Sequence, residues 1–150
     1  MVDVAKNLLA IKAQLPEGVE LTAVSKFHPD EYITAAYNVG QRIFGESHEQ
    51  ELARKAASLP KDIHWHFIGH LQTNKVKYIA PYISMIESVD SIRLLREIEK
   101  QGARCGRRIR VLLELHIAEE ATKYGLAPND CRSLLADGEW RQMAHVEICG

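Results

Sequence analysis

Lys26 is the first residue whose type and position suggest chemistry. It closes the run Glu20-Leu21-Thr22-Ala23-Val24-Ser25-Lys26, three residues before Pro29. In an alternating strand Thr22, Val24 and Lys26 share one face, and Leu21, Ala23 and Ser25 share the other. The C-terminal end of a parallel strand is the ligand-binding edge of an α/β sheet. Beside Val24 the lysine is expected to be partly desolvated. That would disfavour the ammonium and free the amine to form a Schiff base with a carbonyl. On position alone a solvated lysine in a strand-to-helix loop is the commoner case.

Other residue types invite weaker readings. His64 and His66 form an H-x-H pair with His70 nearby. Alternate strand residues share a face, so such a pair can bind metal. Both histidines precede Phe67 and Ile68, however, and no acidic cluster with ligand spacing completes a site. A packed or hydrogen-bonded core histidine is the expectation, and no metal is assigned. Ser47 could meet a ligand at a strand mouth or cap the next helix, since Ser47 and Gln50 have capping-box spacing. Glu46 could be an acid or base, or one partner of a salt bridge on the barrel rim. Gly69 to Lys75 (GHLQTNK) is a polar turn entering a helix, which suits an anion or simple capping. Lys123-Tyr124-Gly125 lies in a long loop, a type of segment that often carries function. Arg104, Arg107, Arg108 and Arg110 read as a solvated turn.

The elements that must position these residues alternate along the chain. Val4, Leu8, Ile11 and Leu15 mark an amphipathic helix over residues 1–15 that Pro16 stops. Helices are also expected from Pro29 to before Gly40, from Ser47 to about Ser58, and from Leu71 to Ala80. A further helix opens at Asp90 or Ser91, and another spans Pro128 to Ala136. Strands are expected at 20–26, 42–45, 64–68, 82–87, 110–117 and 145–150. Strand, helix, strand without hairpin signals means a parallel sheet, either doubly wound or a (β/α)₈ barrel. The repeat is about 25 residues, as in barrel units. The GxGxxG fingerprint and the P-loop pattern are absent.

Composition narrows the class. Hydrophobic residues are 46% and charged residues 26%, as in an ordinary globular protein. Nineteen basic against twenty acidic side chains give a net charge of −1, which argues against nucleic acid or membrane binding by bulk charge. No apolar run has spanning length. The order Met1-Val2-Asp3-Val4-Ala5-Lys6 is not that of a signal peptide. Three widely spaced cysteines suggest neither a disulfide framework nor a CxxC site, so the cytoplasm is the expected compartment. At about 150 residues one domain is expected, spanning 1–150.

Three stretches carry a resemblance: LTAVSK (21–26), FGESHEQEL (44–52) and WHFIGHLQTNK (65–75). In that order and spacing they resemble the pyridoxal-phosphate homeostasis family, the YggS/PROSC-like proteins. VLLELHIAEEATKYGL (111–126) is similar to the family's fifth strand and its lysine-glycine loop. The resemblance implies an alanine-racemase-like (fold type III) (β/α)₈ TIM barrel binding pyridoxal 5′-phosphate (PLP). It implies that Lys26 holds the cofactor as a Schiff base, with Ser47 and His66 as further cofactor-binding residues. It also implies a carrier or regulator of the cofactor pool rather than a catalyst, with PLP-dependent apo-enzymes as candidate partners. The expected full-length form is a monomer. A racemase needs acid–base groups on both faces of its substrate, and one commonly comes from a second domain or subunit. A fold-type-III racemase, or another Schiff-base barrel enzyme such as a class I aldolase, is the alternative, and a fragment that binds nothing is a third.

Two departures from the family pattern stand out. Ser47 occupies the place of the family's asparagine and offers fewer hydrogen bonds. The family continues through strands 7 and 8, which carry its phosphate loops and an arginine facing the pyridine nitrogen. About six strands are expected here, and hence an incomplete barrel.

Overall fold

The computed structural model describes residues 2–121 and 123–150; Met1 and Thr122 lie outside that description. Six parallel strands form one sheet: β1 Ala23–Val24, β2 Ile43–Glu46, β3 His64–Phe67, β4 Ile83–Val89, β5 Ile109–Leu113 and β6 Val146–Ile148. Their spatial order is their sequence order, β1-β2-β3-β4-β5-β6. Right-handed crossovers between successive parallel neighbours place the helices that connect them on one face of the sheet. A doubly wound sheet must reverse its strand order somewhere, and this one does not. The topology is therefore that of a barrel, over six of its strands.

The register divides the sheet into two faces. Phe44 aligns with Trp65, Phe67 with Ile86, Ile86 with Val111, and Ile109 with Val146. All are buried in one apolar cluster with helix residues such as Leu52, Leu95 and Ile98. One residue along, a second row runs Val24, Gly45, His66, Met85, Arg110, Glu147. This row is mixed in polarity and carries the charged groups, as expected of the face away from the helices. Gly45 is tightly enclosed: a Cβ there would stand 3.0 Å from Ile68 Cδ1 and 3.2 Å from Thr22 Cγ2, so those side chains would have to shift.

The helices are α1 Val4–Lys12, α2 Asp30–Asn38, α3 Glu49–Ser58, α4 Val76–Ile79, α5 Ile92–Cys105 and α6 Pro128–Asp137. The longest, α5, has the clearest signals at both ends. Ser91 caps it by accepting from the Leu94 amide at 3.0 Å, and Gly106 ends it in the left-handed region at φ 65°. Leu94, Leu95 and Ile98 form its buried stripe. Among the described residues no helix is long and apolar enough to cross a membrane.

Four expectations are corrected. The first strand pairs only at Ala23–Val24, because β1 has a neighbour on one side alone. The helix expected over Leu71–Ala80 is a 3₁₀ turn, Thr73–Lys75, followed by the four residues of α4. Gln72 is extended at ψ 143° and Pro81 follows closely, so little room remains for an α-helix. Ser47 does not cap α3; the cap position is His48, whose side chain makes no capping bond. The arginine cluster is not one solvated turn either. Arg107 donates to the Ala80 carbonyl at 2.6 Å, and Arg110 lies on β5.

The two serines make a paired prediction. Ser91→Ala should destabilise the chain by about 1 kcal/mol in urea unfolding, through loss of the cap. Ser47→Ala should change stability by less than about 0.5 kcal/mol, as for a substitution away from any cap.

Candidate functional site

The residues proposed from sequence gather at the C-terminal ends of β1, β2 and β3. Lys26 and Ser47 line one open cavity of about 470 Å³, together with His48, Gly69, His70 and Lys75. That volume lies within the range of small-molecule sites. The ends of β2 and β3 touch here: a Cβ on Gly69 would stand 2.8 Å from Ser47 Cβ. Lys75 pairs with Glu49 at 3.4 Å across the cavity wall.

Lys26 is exposed, and Val24 is 52% exposed. The desolvation expected of Lys26 is thus not found, because β1 is an edge strand of this sheet. His66 is not in the cavity lining. It is buried on β3, and its Nδ1 lies 2.6 Å from Glu87 Oε1 on β4. The expected hydrogen-bonded core histidine is what the structure contains. His64 is exposed, and among the described residues no cluster of three or more ligating side chains could hold a metal ion.

Beneath Lys26 lies a buried ionic cluster. Lys55 of α3 and Glu46 of β2 are both fully buried. Lys55 Nζ donates to Glu46 Oε1 at 2.6 Å, to Glu51 Oε1 at 2.7 Å and to the Ser25 carbonyl at 2.8 Å. These acceptors use all three protons of the ammonium. Ser25 Oγ donates to Glu46 Oε1 at 2.8 Å, and the Phe27 amide donates to Glu51 Oε1 at 2.7 Å. Burial pushes the Glu46 carboxyl above its usual range, against the hydrogen bonds from Lys55 and Ser25. Burial also pushes Glu51 upward, but the bonds from Lys55 and the Phe27 amide outweigh it and hold that carboxyl low. Glu46 Oε2 is buried without a partner among the described residues.

Lys55 and Glu51 were missed in the sequence. The signal was present: Leu52, Lys55, Ala56 and Leu59 recur at helical spacing, so Lys55 sits within an apolar stripe. A lysine there must either reach the surface or find a carboxylate, and Glu46 ends the neighbouring strand. Glu46 is therefore a salt-bridge partner, although in the core rather than on the rim.

The loop after β5 also reaches this end of the sheet. The ring of Tyr124 stacks on that of His70 with centroids 3.7 Å apart and 9° between planes. His70 Nδ1 lies 3.8 Å from Asp90 Oδ2. Burial, and then the charge of Asp90, raise the Glu114 carboxyl, while His70 opposes them. Gly125 permits the loop's return: it adopts φ 124°, and a Cβ would stand 2.5 Å from the His116 nitrogen.

Residues 2–150 match the alanine racemase N-terminal domain family. The chain belongs to this family. It is 39% identical over 124 residues to the pyridoxal phosphate homeostasis protein of Bos taurus, covering 77% of this chain and 45% of that protein. It is 39% identical over 116 residues to the protein of the same name from Aquifex aeolicus, covering 77% of this chain and 51% of that one. The chain thus spans about half the length of the curated relatives it matches. Among solved structures it is similar to PipY of Synechococcus elongatus with PLP bound, at TM-score 0.88 and 37% identity over 98% of this chain and 68% of that one. Alanine racemase of Streptomyces coelicolor shares the fold at TM-score 0.80 and 17% identity, over 97% of this chain and 40% of that one. The resemblance read from the three motifs is borne out, as is the alanine-racemase-like barrel fold.

The ionic cluster yields a stability prediction. Lys55→Met leaves Glu46 buried and unpaired, and should cost about 3–5 kcal/mol in urea unfolding. The double variant Lys55→Met/Glu46→Leu should recover most of that loss, because it removes both charges from the core.

Proposed function

We propose that this chain holds pyridoxal 5′-phosphate through Lys26, and that its biological role is control of that cofactor's supply inside the cell rather than turnover. The observation that carries this reading is the exposed amine of Lys26 on the wall of a polar cavity at the C-terminal end of β1. The likeness to PLP-bound PipY over nearly the whole chain supports it. So do relatives named as pyridoxal phosphate homeostasis proteins. Residues 1–150 act in this reading as a single cofactor-binding domain.

The residues present fit the group. When bound, the cofactor supplies an electrophilic aldehyde and an electron-withdrawing ring. Lys26 Nζ would join the aldehyde carbon in a Schiff-base linkage, with loss of one water and no change of oxidation state. Ser47 shares the cavity wall and offers one hydroxyl as donor or acceptor. His66 lies on the same sheet face as Val24 and Gly45, with its ring oriented by Glu87. We assign Ser47 and His66 to the cofactor's surroundings. Partners of this role would be apo-enzymes that need the cofactor.

The test is to incubate the purified chain with pyridoxal 5′-phosphate, reduce with borohydride and map the modified peptide by mass. The expected adduct is confined to Lys26 and absent from Lys26→Ala. Labelling scattered over surface lysines would overturn the assignment. Amino-acid racemisation that disappears in Lys26→Ala would replace the regulatory reading with an enzymatic one.

A further inference from the structure

We infer that Lys55 and Glu51 of α3 are positioning residues for Lys26, gripping the backbone on both sides of it and so fixing where its amine leaves the sheet. The inference rests on Lys26 being the cofactor-holding amine. On the N-terminal side, Lys55 Nζ donates to the Ser25 carbonyl at 2.8 Å. The Ser25 hydroxyl donates to Glu46 Oε1 at 2.8 Å, and the Ser25 amide donates to the Gly45 carbonyl at 2.9 Å. On the C-terminal side, the Phe27 amide donates to Glu51 Oε1 at 2.7 Å. Lys55 joins the two sides, donating to Glu46 and Glu51 at 2.6 and 2.7 Å.

The backbone between these holds is unusual. Phe27 has φ 64°, the only positive φ at a non-glycine position among the described residues. A bulky residue rarely enters the left-handed region, so something must hold it there. The strand ladder does not, since β1 ends at Val24. The turn bond from the His28 amide to the Ser25 carbonyl at 3.1 Å closes the bend, and the side-chain hold on Phe27 comes from Glu51, one turn before Lys55 on the same helix. These bonds engage the chain before and after Lys26 and leave its amine free. That division suits a nucleophile whose position must be set while its nitrogen stays available.

One oxygen makes the inference separable from simple stability. Both bonds of Glu51 go to Oε1. Glu51→Gln keeps a carbonyl oxygen there and removes the charge; Glu51→Ala removes both. A role in charge balance would move the two variants together, and a packing role would move stability without changing exchange at Phe27 relative to its neighbours. A positioning role separates them.

The experiment compares the wild-type chain, Glu51→Gln, Glu51→Ala and Lys55→Met at a temperature where each is folded by circular dichroism. Amide hydrogen exchange at Phe27 is measured without cofactor. The rate and site of borohydride-trapped labelling by pyridoxal 5′-phosphate are measured in parallel. In Glu51→Ala the Phe27 amide should exchange about tenfold faster than in wild type, and labelling at Lys26 should slow by about fivefold or more. Glu51→Gln should restore both to within about twofold of wild type. Glu51→Gln and Glu51→Ala behaving alike, or Glu51→Ala labelling Lys26 at the wild-type rate, would overturn the positioning role. If Lys55→Met does not fold, the two Glu51 variants decide the matter. A wild-type chain that labels its lysines indiscriminately overturns the cofactor reading alone, because exchange at Phe27 still tests the grip on the backbone.

Discussion

A fully buried lysine is tolerable only if every proton of its ammonium is bonded, and Lys55 meets that condition with three acceptors. Those acceptors come from three places: the end of β1, the end of β2 and the first turn of α3. The ion pair therefore does more than join two side chains. It ties two adjacent strand ends to the helix that follows them, at the edge of the sheet where parallel α/β proteins bind ligands. Such a pair is a doubtful source of net stability, because desolvation costs about as much as the attraction returns. What it supplies is geometry. Charges in the core have few alternative arrangements, so the ends of β1 and β2 have one register relative to α3.

The sheet makes the same separation on a larger scale. Strand order equals sequence order, so the connecting helices fall on one face and the apolar rows of β2, β3, β4 and β5 face them. The other row, from Val24 through His66 to Arg110 and Glu147, is released from building the helix-facing core. His66 and Glu87 form a 2.6 Å contact on this side, and Ile68 and Thr22 pack against Gly45 beside them. Stability and chemistry thus occupy opposite faces of the same strands. The Lys55 cluster sits where the strands end and the two faces meet.

Much of this was legible in the sequence, and the exceptions have physical causes. Periodicity placed α1, α2, α3, α5 and α6 and all six strands, because each carries an apolar row with a proline, glycine or capping residue at a boundary. The 3₁₀ turn at Thr73–Lys75 was read as helix because GHLQTNK looks like an N-terminus. Between extended Gln72 and Pro81 only the four residues of α4 are α-helical. Ser47 had the spacing of a cap, but the chain starts its helix one residue later, at His48, and leaves the serine on the cavity wall. Spacing along the chain identifies a candidate cap; only the backbone angles decide which residue becomes one. Lys26 was found by position and motif. Lys55 was not, since a lysine in a helix reads as surface until the glutamate facing it is known.

The exposure of Lys26 bears on how its amine would be prepared for a carbonyl. The sequence suggested desolvation by Val24, yet both side chains are open to water here. Desolvation and orientation are separable routes to a reactive amine: one shifts the balance between ammonium and amine, the other shortens the search for the electrophile. In this structure the buried environment belongs to Lys55, which serves as a fixed donor to three acceptors. Lys26, next to buried Ser25, keeps an exposed side chain on a backbone bonded on both sides. In the proposed reading the two lysines divide the work by burial: the inaccessible one sets position, and the accessible one is left to react.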